Sequence, residues 1–344
     1  MANVIYSQMD GSRDALFGKY EHKIKGFIEH ESNICEKEKT ILDTLYNVEK
    51  SNSFSEAFTG ESDFDTFMSM GEGQSAENDS VVETFRKVFY HHQFGKSFTI
   101  TKQMADDAKL GMAAEMKARP RAFVRAFYKT RVDAACQALI HGTETEMIFN
   151  KAKIDLATGD GKALFSSAHT YADPKYAKKT QSNIFHGKAM TDMATMEDVL
   201  ASLAVKMRNF KDENDNAMGY TADTIILPCN NPKLEMMVKK ICGSEIASNL
   251  NDINTQYGNW NVVVLPNWQA ADDRFMVMSS VANKTLLGNM FFNRVNLDVT
   301  NHIDPGSRNQ IWNGYCRFGL GFRTWKHMAL FINSESAVNG STSL

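Results

Sequence analysis

An excess of positive charge is the first thing this 344-residue sequence lacks: 38 Lys and Arg stand against 41 Asp and Glu, for a formal net charge of -3 and a pI near 6.3. Neutralising a phosphate backbone needs a basic surplus, so a chain devoted to nucleic acid is excluded and any such contact is local. Clustered cysteines are missing too. Cys35, Cys136, Cys229, Cys242 and Cys316 lie far apart, with no CxxC pair and no histidine at zinc-ligand spacing. That excludes a zinc ribbon and points to a reduced, cytosolic folding compartment. No 18 apolar residues run together, and the N-terminus has no basic segment followed by an apolar one, so neither a membrane span nor a secretory signal is expected. There is no GxxxxGK[ST] loop for phosphates and no GxSxG elbow for a nucleophilic serine.

What is present is enough core material, 43% hydrophobic residues, for one large domain or two lobes. Near the start, Leu16, Tyr20, Ile24, Phe27 and Ile28 recur at helical spacing, as do Ile41, Leu42, Leu45 and Val48, which predicts two amphipathic helices. Between 54 and 100 the pattern becomes strand-like. Aromatic segments at Phe64 to Met70 and Thr84 to Ile100 flank Gly71 to Ser80, a turn composition rich in acids, and together they read as a long hairpin with an acidic tip. An ordinary irregular loop is the alternative. A lone two-stranded ribbon is marginal in water, so such a hairpin must lean on something else.

From Arg121 to Ile140 the residues Val124, Tyr128, Val132, Ala135 and Leu139 mark a helix face, with Pro120 in its first turn and Gly142 at its end. Lys117, Arg119, Arg121, Arg125, Lys129 and Arg131 place six positive charges along this region with no acid between them. They form a candidate strip facing DNA, or else a solvated helix face paired with acids elsewhere. Thr195 reads as the N-cap of a helix carrying Met196, Val199, Leu200, Leu203, Met207 and Phe210. The runs at 224–227, 262–265 and 275–278 read as strands, and Asn231-Pro232 opens a helix ended by Gly243, which together suggest an α/β-like lobe around a buried sheet. Val295, Leu297 and Val299, then Phe318, Leu320 and Phe322, alternate with polar residues and glycine on either side of Asp304-Pro305-Gly306, predicting two long antiparallel strands. Residues 334–344 read as a polar tail that frays.

Candidate chemistry is thin. Ser166, Ser167 and His169 sit close in sequence, but nucleophilic catalysis needs an oriented base and an oxyanion site. His91 and His92 are strand neighbours and point to opposite faces, so they do not share a metal. Gly319-Leu-Gly321 lacks the third glycine of a dinucleotide fingerprint. Lys211 to Asn216 is acidic but lacks the glycine and terminal glutamate of a calcium loop, and reads as a solvated connection. The 19 methionines serve as flexible core filler or as adaptable contact surface. No cofactor or metal site is expected.

Taken in order, Asp160-Gly-Lys-Ala-Leu-Phe-Ser-Ser-Ala-His169, the helix from Thr195, Ile225-Ile-Leu-Pro228, Pro232-Lys-Leu-Glu235 and Val262-Val-Val-Leu-Pro266 resemble the Mu-like major head subunits of tailed phages and prophages. The likeness runs over roughly 98–332 and is strongest between Asp160 and Trp268. It implies the α+β Hong Kong 97 phage capsid fold: an N-terminal arm (1–53), an extended loop (54–100), a spine helix with the first part of a peripheral lobe (101–189), an axial lobe (190–285), peripheral-lobe strands (286–333) and the tail (334–344). It further implies a non-enzymatic major capsid protein that forms pentamers and hexamers, closes into an icosahedral shell around double-stranded DNA in the virion, and is assembled in the host cytoplasm. Scaffold, protease, portal and cement proteins are the partners it brings to mind, and no membrane. Some members of the fold join subunits covalently through Lys and Asn, but neither Lys87 nor Lys96 is assigned that role. The extended loop would lie over a neighbouring subunit, with Glu72, Glu77 and Asp79 at its tip against basic residues there. Rival readings are an encapsulin-like nanocompartment shell, a cytosolic hydrolase using Ser167 and His169, and a phage tail or portal protein.

Overall fold

The computed structural model describes residues 4–6, 15–38, 40–62, 64, 66–76, 78, 83–107, 114–188, 192–244, 254–270, 273–334 and 340–344. The chain begins with β1 (Val4–Tyr6), a 23-residue helix α1 (Ala15–Lys37), a short helix α2 (Ile41–Leu45) and β2 (Asn47–Lys50). Ile24 and Ile28 are fully buried along α1, as their spacing predicts; the side chain of Leu16 lies outside the described residues. The second helix is shorter than the apolar pattern implies. The Asp43 carboxylate caps its start by accepting from the amide and hydroxyl of Thr40. The backbone is extended again at Tyr46, and Val48 belongs to β2, which pairs in parallel with residues 290–293.

The next segment corrects the expected hairpin. Its strands are β3 (Ser55–Glu61) and β4 (Glu83–Tyr90), paired antiparallel, whereas Phe64 and 66–70 carry no regular structure. The predicted second strand is really two: His91 interrupts it, and β5 (His92–Ile100) leaves the ribbon to pair with a later strand. A short helix α3 (Lys102–Asp106), capped by the Thr101 side chain, leads toward α4 (Ala114–Ile140). The long helix starts earlier than predicted, so Pro120 lies inside it rather than in its first turn. Met116 and Pro120 are both buried, and that burial holds the turn that proline by itself would disfavour. At 27 residues the rod is about 40 Å long.

A small hairpin follows, β6 (Glu146–Phe149) and β7 (Ala152–Asp155), with Asn150 and Lys151 both at positive φ (45° and 70°) in its turn, as a two-residue turn matched to strand twist requires. After the two-residue strands β8 (His169–Thr170) and β9 (Thr180–Gln181) come β10 (Ile184–Gly187) and α5 (Met193–Arg208). The cap of α5 is Asp192, whose carboxylate accepts from the Thr195 amide, not Thr195 itself. β11 (Thr224–Pro228) is buried throughout, and α6 (Pro232–Gly243) begins with Asn231 accepting from the Leu234 amide, as the Asn-Pro pair predicts. β12 (Asn261–Leu265), β13 (Phe275–Met278) and α7 (Ser280–Thr285) lead into the long strands β14 (Asn289–Ile303) and β15 (Gln310–Phe322), then β16 (Met328–Asn333) and β17 (Thr342–Ser343).

Two sheets organise these elements. The first runs β1-β14-β15-β5, with β2 also on β14. Its antiparallel centre is the predicted strand pair, interrupted by irregularities between Asn293 and Asp298. One face packs against α4 through Trp312, Phe98 and Phe123, and on the other Met290 and Phe292 are buried beneath Phe58 and Phe89 of the β3–β4 ribbon. The second runs β12-β11-β13-β16-β10-β17 and mixes parallel with antiparallel pairs. Its strands β11, β13 and β16 read as nearly unbroken apolar runs because helices and loops cover both faces. The C-terminal residues correct the fraying tail: 342–343 pair in parallel with β10, the Leu344 amide donates to the His186 carbonyl at 3.0 Å, and the Ser341 hydroxyl meets His186 Nδ1 at 2.8 Å.

Candidate inter-subunit surface

The ribbon β3–β4 is firmly rooted and bare at its far end. At the root, Phe58 and Phe89 stack with Phe292 of β14, ring centroids 5.8 and 5.2 Å away, and the Arg323 guanidinium lies over Phe58 at 5.7 Å. Lys87 is 5% exposed and donates to Asp155 at 2.6 Å; burial lowers its pKa and the carboxylate opposes that shift. Ser51 Oγ lies between Glu56 and His91 Nε2, 2.5 and 2.8 Å away. His91 is thus a structural pivot between β4 and β5, its pKa lowered by burial and by Arg317. Gly319 and Gly321 are needed here because a Cβ at 319 would fall 2.7 Å from the Tyr90 carbonyl and one at 321 would fall 3.1 Å from the Phe89 ring. The Gly-x-Gly alternation thus marks where the ribbon crosses β15, a meaning hidden in the sequence because it depends on a contact hundreds of residues apart.

Beyond the root, Phe64, Phe67, Met68 and Met70 are exposed at 69, 106, 71 and 56% of their surface. Residues 62–85 contain six acids and no Lys or Arg. Of the three predicted tip acids, Glu72 is exposed, and Glu77 and Asp79 lie outside the described residues. Exposed apolar side chains so close in sequence are the kind of surface that contact sites use.

The basic strip separates into two sets. Lys117, Arg121, Arg125 and Lys129 recur every fourth residue and so form one row on α4. The acid that the local sequence lacks comes from α1: Glu31, 5% exposed, bonds Arg125 at 2.5 Å and approaches Arg121 at 4.0 Å. Arg119 points elsewhere, donating to the Thr99 carbonyl at 2.5 Å, and Arg131 lies between Phe127 and Phe291 and donates to Asn293 at 2.8 Å. Arg131 therefore packs within the subunit.

The serine–histidine candidates are not brought together for chemistry. His169 is 1% exposed, stacked on Trp325 at 4.3 Å, with Nδ1 on Asp160 at 2.7 Å and Nε2 on Asn183 at 3.3 Å. An acid does orient the imidazole, but its other nitrogen meets an amide, and Ser166 Oγ accepts from the Ala168 amide. The acidic connection 211–216 is likewise committed: Glu213 pairs with Lys326 at 2.7 Å, Asp215 with Lys179 at 2.5 Å, and Asp212 accepts from the Asn214 and Asn216 amides. Among the described residues there is no group of three or more His, Cys, Asp or Glu that could hold a metal ion, and no helix is long and apolar enough to cross a membrane.

The sequence model of the phage capsid protein family matches residues 87–331. The chain belongs to that family. Its fold is also similar to solved phage structures: the capsid of cyanophage P-SCSP1u, at 12% identity and TM-score 0.51 over 87% of this chain and 89% of that one, and mycobacterium phage Bobi, at 12% identity and TM-score 0.50 over 87% and 92%. No curated protein sequence matches it significantly. As a phage capsid protein, the subunit has a structural role.

Proposed function

We propose that copies of this chain associate through pentamers and hexamers into a closed icosahedral shell around double-stranded DNA, each subunit laying its ribbon over a neighbour. The observation that carries this reading is the contrast along the chain of the ribbon, anchored by three phenylalanines packed together at the root and bare at Phe67 and Met68. Head-to-tail contacts of this kind close into rings, and rings of five and six close into a shell. The tip acids Glu72, Glu77 and Asp79 orient the contact, and the row Lys117, Arg121, Arg125 and Lys129, with Glu31 offsetting one of its four charges, faces the phosphate backbone of packaged DNA without sequence preference. The Mu-like motif order supports a role in phage or prophage heads, with the subunit located in the virion and assembled in the host cytoplasm, where scaffold, protease, portal and cement proteins are the candidate partners. No catalytic step is part of this role.

Negative-stain microscopy of the purified protein tests it. Wild-type protein should give hollow spheres or capsomer rings, and Phe67→Asp with Met68→Asp should leave dispersed subunits with unchanged circular dichroism. A wild-type protein that stays monomeric at high concentration, or a double variant that assembles normally, removes the reading.

A further inference from the structure

The two sheets meet at a buried knot of amides that contains one imidazole. Asn283 on α7 and Asn289 at the start of β14 both donate a side-chain N–H to the Leu45 carbonyl, at 3.2 and 2.9 Å. Asn47 on β2 donates in return to the carbonyls of Asn283 and Asn289, at 2.8 and 3.2 Å. Residues 45–47 are thereby fastened to the body where the chain passes from one sheet to the other. Because the Asn289 amide nitrogen is committed to Leu45, its oxygen faces His327 Nε2, 2.7 Å away, and accepts that nitrogen's proton. This assigns the tautomer: Nε2 carries the hydrogen and Nδ1 is bare. Nδ1 has no hydrogen-bond partner, the residue is 0% exposed, and the ring lies against Gly288, where a Cβ would come within 2.6 Å of Cγ and Cε1.

We propose that this knot is a proton-operated latch: neutral His327 holds residues 45–47 on the body, and a second proton on its ring, taken up at Nδ1, releases them. An imidazolium there would be a buried charge with no anion beside it, the least tolerable kind of buried group. The ionisable residues of the surrounding elements are Asp43, Tyr46, Glu49 and Lys50 on the N-terminal segment, Asp223 bonded to Ser280 at the start of α7, Lys284 on α7, Arg323 and Lys326 in the same loop, and the Asp160–His169 pair beyond Trp325. None of them supplies a counter-charge to the ring: burial pushes its pKa down to about 3, opposed only by the Thr324 backbone. A solvated histidine titrates near 6.5, so the latch is fully set above that value and weakens as pH falls from 6.5 toward 3. By linkage, opening at pH 4 is favoured on the order of a hundredfold relative to pH 7.

The latch operates within one subunit, so it stands or falls independently of shell formation. It is tested by amide hydrogen exchange on the unassembled protein, expressed as protection relative to intrinsic exchange at each pH. In the wild type, protection of amides 45–50 should fall on the order of a hundredfold between pH 7 and pH 4 while β11 and β13 hold. His327→Gln keeps a donor toward Asn289 and cannot titrate, so its residues 45–50 should lose less than about a tenth as much. Equal losses in the two proteins would overturn the latch. Should the glutamine variant not fold, histidine Cε1 resonances of the wild type decide: the His327 signal must change in step with the loss of protection, and a loss that occurs while it remains neutral sinks the idea.

Discussion

Adding one methyl group at Gly314 tests the seating of α4 on the first sheet. A Cβ there would lie 2.9 Å from Phe123 Cε2 and closer still to Cζ, with Leu297 Cδ1 at 3.2 Å on its other side. Phe123 has little room to retreat: it is 6% exposed and packs on Phe98 at 5.1 Å, and Phe98 is stacked flat on the fully buried Trp312. Overpacking of this kind costs about 1–3 kcal/mol, so Gly314→Ala should shift the folding equilibrium of the unassembled subunit roughly 5- to 150-fold toward unfolding. Phe123→Leu alone should cost about 1 kcal/mol. Because the smaller side chain makes room for the new methyl, the double variant should be more stable than the sum of the two losses predicts, by about 0.5–3 kcal/mol. Urea titration of the four proteins measures the cycle. A Gly314→Ala change within about 0.5 kcal/mol of wild type, or strict additivity, would show that the helix does not rest where the structure puts it.

Two further outcomes follow from the same geometry. Burial works to raise the Asp160 pKa, but the hydrogen bond and charge of His169, with Thr158 and the Lys162 amide, pull it below the usual range. Its stabilising effect is therefore present above the unfolded value near 3.9 and lost as pH falls through the lower folded value. Asp160→Asn should remove that part of the acid dependence, read as urea midpoints from pH 6 to pH 3; an unchanged slope refutes the pairing. Deleting Ser341–Leu344 removes the His186 hydroxyl contact, the Leu344 amide bond and strand β17, and should cost about 1–3 kcal/mol. A thermal melt of the truncated chain that matches the full one refutes a structural C-terminus.

What the sequence revealed and what it hid divide along one line, local signal against distant partner. Asn231-Pro232 reads as a helix start because the cap is complete within three residues, and the alternation of Leu297 and Val299 reads as strand because their burial repeats every second residue. Phe64 to Met70 has the same aromatic content as a strand, yet Phe64, Phe67, Met68 and Met70 stand exposed, a surface that the proposed contact with a neighbouring subunit would cover. Val48 continues a helical spacing and nevertheless lies in β2, since pairing with β14 overrides a weak local preference. The basic strip appeared unopposed along α4, while Glu31, the acid that meets Arg121 and Arg125, sits about 90 residues earlier, and Arg119 finds an acid on its own helix, Glu115. Thr342 and Ser343 are too few to show any period, so only the exposed edge of β10 determines that they form a strand.

These misses point in one direction. A ribbon that serves its own subunit would carry its apolar residues where its own body can cover them, as Phe58 and Phe89 do. Here the paired strands end at Glu61 and Glu83, and Phe67 and Met68 stand exposed on the segment that follows β3. In the proposed contact, the six acids of the 62–85 sequence would act as gatekeepers, opposing the indiscriminate pairing that an exposed aromatic stretch invites. In that proposed role like-charged tips would repel each other, and the ribbon would be steered away from other ribbons and toward a surface of opposite sign. Selectivity of that kind weakens with added salt, whereas the apolar contact does not. Raising ionic strength should therefore increase the fraction of misjoined subunits before it reduces the total assembled, an ordering expected of a contact whose affinity is apolar and whose direction is electrostatic.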